Sequence, residues 1–135
     1  MAGDSNITQR IRSAKELRVY GHAYELAMEI FELSKAFPAE ERFALTSQIR
    51  RSSRSVCMNL REAWAMRRYE AHFVSKLTDC DGENGETDTS VDFAHDCGYI
   101  STDTHERLTA TNREIGKKLG AMMTSPHKWL ISPNR

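Results

Sequence analysis

The sequence lacks the features that define several large classes of protein. Its three cysteines, Cys57, Cys80 and Cys97, are odd in number and widely spaced, which argues against a disulfide framework and favours free thiols in a reducing compartment. No apolar run approaches the ~20 residues that span a bilayer, and the N-terminus "MAGDSNITQRIRS" has no signal-peptide core. We therefore expect a cytoplasmic protein that does not associate with membranes.

The sequence also lacks an excess of charge of either sign. Its 135 residues suffice for one core, and 19 basic and 19 acidic residues leave a formal net charge of zero. Proteins that bind nucleic acid or anionic lipid by overall attraction are usually basic. Any binding of that kind must come from a local patch.

Motifs for catalysis and for metal binding are absent as well. No Gly-rich loop of the G-x-x-x-x-G-K-S type occurs, and none of the five histidines follows a glutamate by three residues, as a ferritin-like site requires. The stretch that begins at Asp79 resembles a calcium loop, but its sixth and twelfth positions are Asn84 and Ser90. We expect no enzymatic activity, no metal and no cofactor.

Helical periodicity is the pattern that the sequence does have. Apolar residues in the first third recur at spacings of three and four and fill two adjoining stripes, which is more than one partner helix can cover. The breaks are Pro38, which suits the first turn of a second helix, and Gly98, which suits the end of a third. Later stripes predict three more helices: Leu45, Ile49, Ser52, Val56, Leu60 and Ala63; Leu77, Cys80, Asn84, Thr87, Val91 and Ala94; and Leu108, Asn112, Ile115, Leu119 and Met122.

This pattern predicts an all-α fold, an antiparallel up-and-down four-helix bundle. The bundle should span residues 14–125, with a flexible N-terminal arm at 1–13 and a C-terminal tail at 126–135. The two apolar stripes of the first helix further predict a homo-oligomer, because apolar surface left uncovered marks an interface.

Charge is segregated along the chain. Residues 42–68 hold seven arginines and one glutamate, a net charge of +6, whereas residues 69–106 hold ten acids and one lysine, a net charge of −9. Helices from these two segments are neighbours in a simple bundle. The arginines therefore either bind phosphate or pair with acids of the same assembly, and the sequence leaves both readings open.

The position of each arginine on the second helix predicts whether it binds nucleic acid or forms an ion pair within the protein. Those predicted to bind nucleic acid lie away from the buried stripe or beyond the helix: Arg50, Arg54, Arg61, Arg67 and Arg68. Arg51 lies next to the buried stripe, so its stem can pack while its guanidinium reaches an acid on the third helix. We predict a structural ion pair of Arg51 with Glu83 and Glu86.

Several motifs together resemble those of a family of small bacterial four-helix-bundle proteins, first associated with intervening sequences in genes for 23S ribosomal RNA. The match covers roughly residues 14–125. It rests on these residues: Val19-Tyr20, Ala23, Glu25-Leu26, Phe37-Pro38, Glu41, Arg42, Leu45, Gln48-Ile49-Arg50-Arg51, Ser55-Val56, Asn59-Leu60, Glu62-Ala63 and Gly98-Tyr99-Ile100.

The resemblance implies a ring, commonly a pentamer, without enzymatic activity. Similar bundles are accessory proteins of diversity-generating retroelements, where basic surfaces contact RNA or DNA and a reverse transcriptase. The alternative is an assembly that binds only protein, with its arginines paired to its own acidic third helix. Because the match needs no gap, we expect residues 72–96 to be mainly helical, although Gly82, Gly85 and the acids of 79–90 locally favour a loop.

Overall fold

Four α-helices follow one another along the chain and confirm the predicted architecture. The computed structural model describes residues 11–131. The helices are α1 (Arg18–Ser34), α2 (Leu45–Ala65), α3 (Glu70–Asp96) and α4 (Thr102–Thr124). Within the described residues each helix packs against the next and α1 closes on α4, as in an up-and-down bundle.

The turn between α1 and α2 differs in one respect from the expectation. Pro38 does not open the second helix but precedes a separate 3-10 turn, Ala39–Glu41, and α2 begins only at Leu45. A carboxylate oxygen of Glu41 accepts a hydrogen bond from the Leu45 main-chain nitrogen at 3.2 Å. This bond satisfies one of the donors that the start of a helix leaves without a partner.

The turn between α3 and α4 follows the expectation. Gly98 has φ +82°, the left-handed conformation that favours glycine, and the main-chain nitrogens of Gly98 and Tyr99 donate to the carbonyls of His95 and Ala94. The Ser101 hydroxyl accepts from the Thr104 nitrogen and caps α4.

Tyr99 ties these two turns together at one end of the bundle. Its hydroxyl donates to Glu41 at 2.8 Å, and its ring lies 5.4 Å from that of Phe37, centroid to centroid. The bond and burial raise the pKa of Tyr99 to about 12. In an up-and-down bundle the α1–α2 turn and the α3–α4 turn lie at the same end, as they do here.

α3 is helical from end to end, and the expectation of a mainly helical segment at 72–96 is confirmed. Its stripe is buried, as are the predicted stripes of α2 and α4 apart from the half-buried Leu45. The middle of the core is polar: Ser52 and Thr87 are hydrogen-bonded at 2.8 Å, and the Asn84 and Asn112 side chains bond each other at 2.9 Å. Tertiary packing thus outweighs the low helix propensity of the two glycines.

Short segments at both ends of the described chain rest on the bundle. Ile11 and Trp129 are half-buried against the core, and the Ile131 nitrogen donates to the Arg67 carbonyl at 3.1 Å. Residues 1–10 of the predicted arm and 132–135 of the predicted tail lie outside the described residues. None of the four helices is long and apolar enough to cross a bilayer.

Candidate nucleic-acid interface

Three arginines of α2 lie on the side of the helix that faces solvent next to α1. Arg50, Arg54 and Arg61 fall within about 40° of one another at 100° per residue, and the buried Ile49 and Val56 point elsewhere. Arg50 and Arg54 contact a ring of α1, so this side of α2 faces α1. The helix therefore separates a core face from an arginine face.

The ring of Phe31 in α1 makes cation–π contacts with Arg50 and Arg54. The guanidinium carbons of Arg50 and Arg54 lie 4.8 Å and 5.5 Å from the centre of its ring. Arg50 also donates from Nε to the hydroxyl of the buried Ser34 at 2.7 Å. Cation–π contact of this kind holds a guanidinium in place while its edge stays available for hydrogen bonds.

Two tyrosines continue the aromatic row along α1. The rings of Tyr20 and Tyr24 are nearly parallel, with centroids 6.2 Å apart, and Tyr24 is 54% exposed. The Cys57 thiol contacts the Tyr20 carbonyl at 4.0 Å, and Arg61 follows Cys57 by one helical turn, so this end of α1 lies near the third arginine. Burial raises the pKa of Tyr20 above its ordinary value.

We call this surface the arginine-aromatic face and define it by Tyr20, Tyr24 and Phe31 of α1 with Arg50, Arg54 and Arg61 of α2. The sequence pattern predicts its arginines but not its aromatic half. The available indication is the second apolar stripe of α1, which by itself predicts only an interface between chains.

Arg51 lies on the opposite edge of α2, toward α3. Its guanidinium forms ion pairs with Glu83 at 2.9 Å and with Glu86 at 3.4 Å, the two acids named from the sequence. The hydrogen bond to Glu83 raises the pKa of Arg51. Burial alone would raise the pKa of Glu83, but hydrogen bonds with Glu86, Ser55 and Arg51 bring it below its ordinary value.

The remaining two predicted arginines differ from each other. Arg67 donates to the carbonyls of Trp64 and Trp129, and its guanidinium lies 3.6 Å from the Trp64 ring centre. Burial lowers its pKa. This side chain fastens the C-terminal segment to α2, away from the arginine-aromatic face, whereas Arg68 is exposed in the turn that follows α2.

Other polar contacts between helices engage part of the acidic side chains. Lys76 of α3 pairs with Glu62 at 3.2 Å, His105 of α4 bonds Asp92 at 2.7 Å, and Arg107 of α4 pairs with Glu29 of α1. Within residues 11–131, no group of three His, Cys, Asp or Glu side chains is arranged to hold a metal ion.

Comparison with known proteins agrees with the resemblance seen in the sequence. The model of the family described as 23S rRNA-intervening sequence protein matches residues 15–121, more than half of the chain. The fold matches the crystal structure of a protein of unknown function from the S23 ribosomal protein family of Bacteroides thetaiotaomicron. That match has a TM-score of 0.71 and 26% identity, and it covers 90% of this chain and 98% of that chain. No curated protein matches.

Proposed function

Because the chain belongs to the 23S rRNA-intervening sequence protein family, we propose that it is a non-enzymatic helical-bundle scaffold or accessory protein that binds RNA or DNA. The proposal rests on which arginines of α2 have a carboxylate partner. Within the described residues, Arg50, Arg54 and Arg61 have no carboxylate partner, while Arg51 beside them has two.

The geometry of these arginines suits phosphate. Each guanidinium carries five donors in a planar fork, and the fork matches the paired oxygens of a phosphate. Phe31 packs against Arg50 and Arg54; Arg50 gives its Nε donor to Ser34 and keeps the terminal nitrogens of its fork, and Arg54 keeps its whole edge. Arg68 is an additional candidate contact, since it is exposed and has no polar partner in the described part of the chain. Arg67 contributes less, because main-chain carbonyls take two of its donors.

A second candidate is an assembly that binds only protein. It is favoured by the ion pairs of Arg51 with α3, which show that this protein does use an arginine of α2 to hold its own acidic helix. Under either candidate we propose a homo-oligomer, five chains being the number that the resemblance implies. A reverse transcriptase is the protein partner that the resemblance suggests for the first candidate.

Salt titration of nucleic-acid binding tests the first candidate. We expect the wild-type protein to bind a fluorescently labelled RNA or DNA oligonucleotide at low salt, with an affinity that falls steeply as salt rises. The double variant Arg50→Gln, Arg54→Gln should bind more weakly at every salt concentration. Its salt slope should fall by about two, one for each lost phosphate contact.

Arg51→Gln is the matched control, because it removes a charge from the same helix that already has carboxylate partners. We expect it to leave the salt slope unchanged. Absence of wild-type binding at low salt, with the oligomer intact by light scattering, contradicts the nucleic-acid function and favours the protein-binding assembly.

A further inference from the structure

We propose that the arginine-aromatic face takes single-stranded nucleic acid, with a base stacked on Tyr24 and phosphates held by Arg54 and Arg61. This inference rests on the proposed function and narrows it to a class of ligand. Its basis is the order of side chains along the groove between α1 and α2.

Cations and rings alternate along that groove. Phe31 lies at the level of Arg50 and Arg54, and Tyr20 lies at the level of Cys57, one helical turn before Arg61. Tyr24 follows Tyr20 by one helical turn and precedes Phe31 by about two, so its exposed ring lies between the two levels. A ring between cations is the arrangement by which proteins bind a single strand, because bases stack on the ring while the backbone follows the charges.

The spacing of the arginines fits a strand. Arg54 and Arg61 are seven residues apart, a rise of roughly 10 Å along α2. A stacked strand carries a phosphate about every 3.4 Å, so roughly three nucleotides cover this distance.

A duplex can meet this surface through its phosphates but cannot take α2 into its major groove. α2 is flanked by α1 on one edge and α3 on the other, and two packed helices present a front roughly 20 Å wide. The major groove of DNA is only about 12 Å wide, so α2 cannot enter it with α1 alongside. A duplex also hides the faces of its bases, which leaves Tyr24 without a stacking partner.

The experiment measures fluorescence anisotropy with a labelled 12-nucleotide RNA of mixed sequence, alone and annealed to its complement. We expect the single strand to bind at least tenfold more tightly. Tyr24→Ala should weaken binding of the single strand about tenfold and leave that of the duplex unchanged. Arg54→Gln should weaken both, since each RNA offers phosphates. Phe93→Ala, which removes an equally exposed ring from α3, is the matched control and should change neither.

The outcomes distinguish this inference from the function on which it rests. If neither RNA binds the wild-type protein, the proposed function fails. If both bind equally and Tyr24→Ala has no selective effect, the proposed function stands and the inference is overturned. A Tyr24→Ala variant that alters the oligomeric mass in light scattering but not RNA binding also overturns it, because the ring then belongs to an interface between chains.

Discussion

Arginines at neighbouring positions of α2 have different roles because the helix turns each one toward different surroundings. Arg54 lies over an aromatic ring, while Arg51, three residues earlier, lies between two carboxylates. Arg67, in the turn that follows the helix, donates to main-chain carbonyls. The charge is the same in each case, and the neighbouring helix decides whether it is available to a ligand.

Arg51→Ala should lower the free energy of unfolding, because it leaves the side chain of Glu83, only 17% exposed, near Glu86 without a cation. The arginine itself is 53% exposed, so solvent screening limits the expected loss to about 1 kcal/mol or less. Denaturation by urea at neutral pH measures this loss in the free energy of unfolding. Arg54→Ala breaks no ion pair and should change the free energy of unfolding by less.

The effect of Arg51→Ala should depend on pH in a definite direction. The pKa of Glu83 is lowered in the folded protein, so its contribution to stability is present above the ordinary pKa of a glutamate. It is lost as the pH falls through the lowered value. Wild type and Arg51→Ala should therefore converge in stability under acid conditions, and an undiminished difference there would contradict an electrostatic cause.

The three cysteines should differ in reactivity. Burial raises the pKa of Cys57 to about 11 and that of Cys80 to about 12, so at neutral pH neither forms the reactive thiolate. Cys97 is exposed. A thiol-specific disulfide reagent should consume one thiol per native chain rapidly and three after unfolding, and Cys97→Ser should abolish the rapid phase. A rapid phase of two thiols would show that the core opens.

At the scale of the element, the glycines of α3 differ from the glycine that ends it in whether the structure requires them. A Cβ added at Gly82 or Gly85 meets nothing within 4 Å, so neither residue is needed for close packing within the described chain. Gly98 ends the helix with φ +82°, which side chains with a Cβ rarely adopt. The interior glycines weaken the helix, and the terminal one is required to end it.

Gly82→Ala and Gly85→Ala should therefore each stabilise the protein by up to about 1 kcal/mol, because alanine has the higher helix propensity and the space is open. Thermal unfolding followed by circular dichroism measures the gain. Gly98→Ala is the control and should destabilise by about 1 kcal/mol or more. In the wild type, residues 79–90 should show slow amide exchange, and rapid exchange there would indicate a loop in solution.

At the scale of the whole molecule, the bundle leaves large apolar side chains in solvent. Phe43 is 88% exposed in the turn before α2, Tyr69 is 59% exposed in the turn before α3, and Met28 is about half exposed on α1. Single exposed apolar residues are common, but several on a chain of this size suit a surface that another copy covers. The arginine-aromatic face accounts for only part of the second stripe of α1.

We therefore expect light scattering at low micromolar concentration to give the mass of a closed oligomer, with five chains as the favoured number. Phe43→Glu should lower that mass, because a charge at an apolar contact costs more than the contact yields. Ser47→Glu places the same charge nearby at an exposed polar position and should leave the mass unchanged. A monomeric wild-type protein would contradict the oligomer.

The sequence alone determined the number of helices and which sides of them are buried, because periodicity and turn residues act locally. It did not determine by local pattern that residues 79–90 are helical, because their glycines and acids favour a loop and packing outweighs them. It determined four helices, the buried stripes and the glycine that ends α3. It placed the start of α2 too early, since Pro38 precedes a separate 3-10 turn and α2 begins only at Leu45. Only the tertiary structure decided that Phe31 and Tyr24 of α1 lie alongside the arginines of α2. Such contacts depend on which edges of two helices meet, and the pattern of one helix carries no record of its neighbour's register.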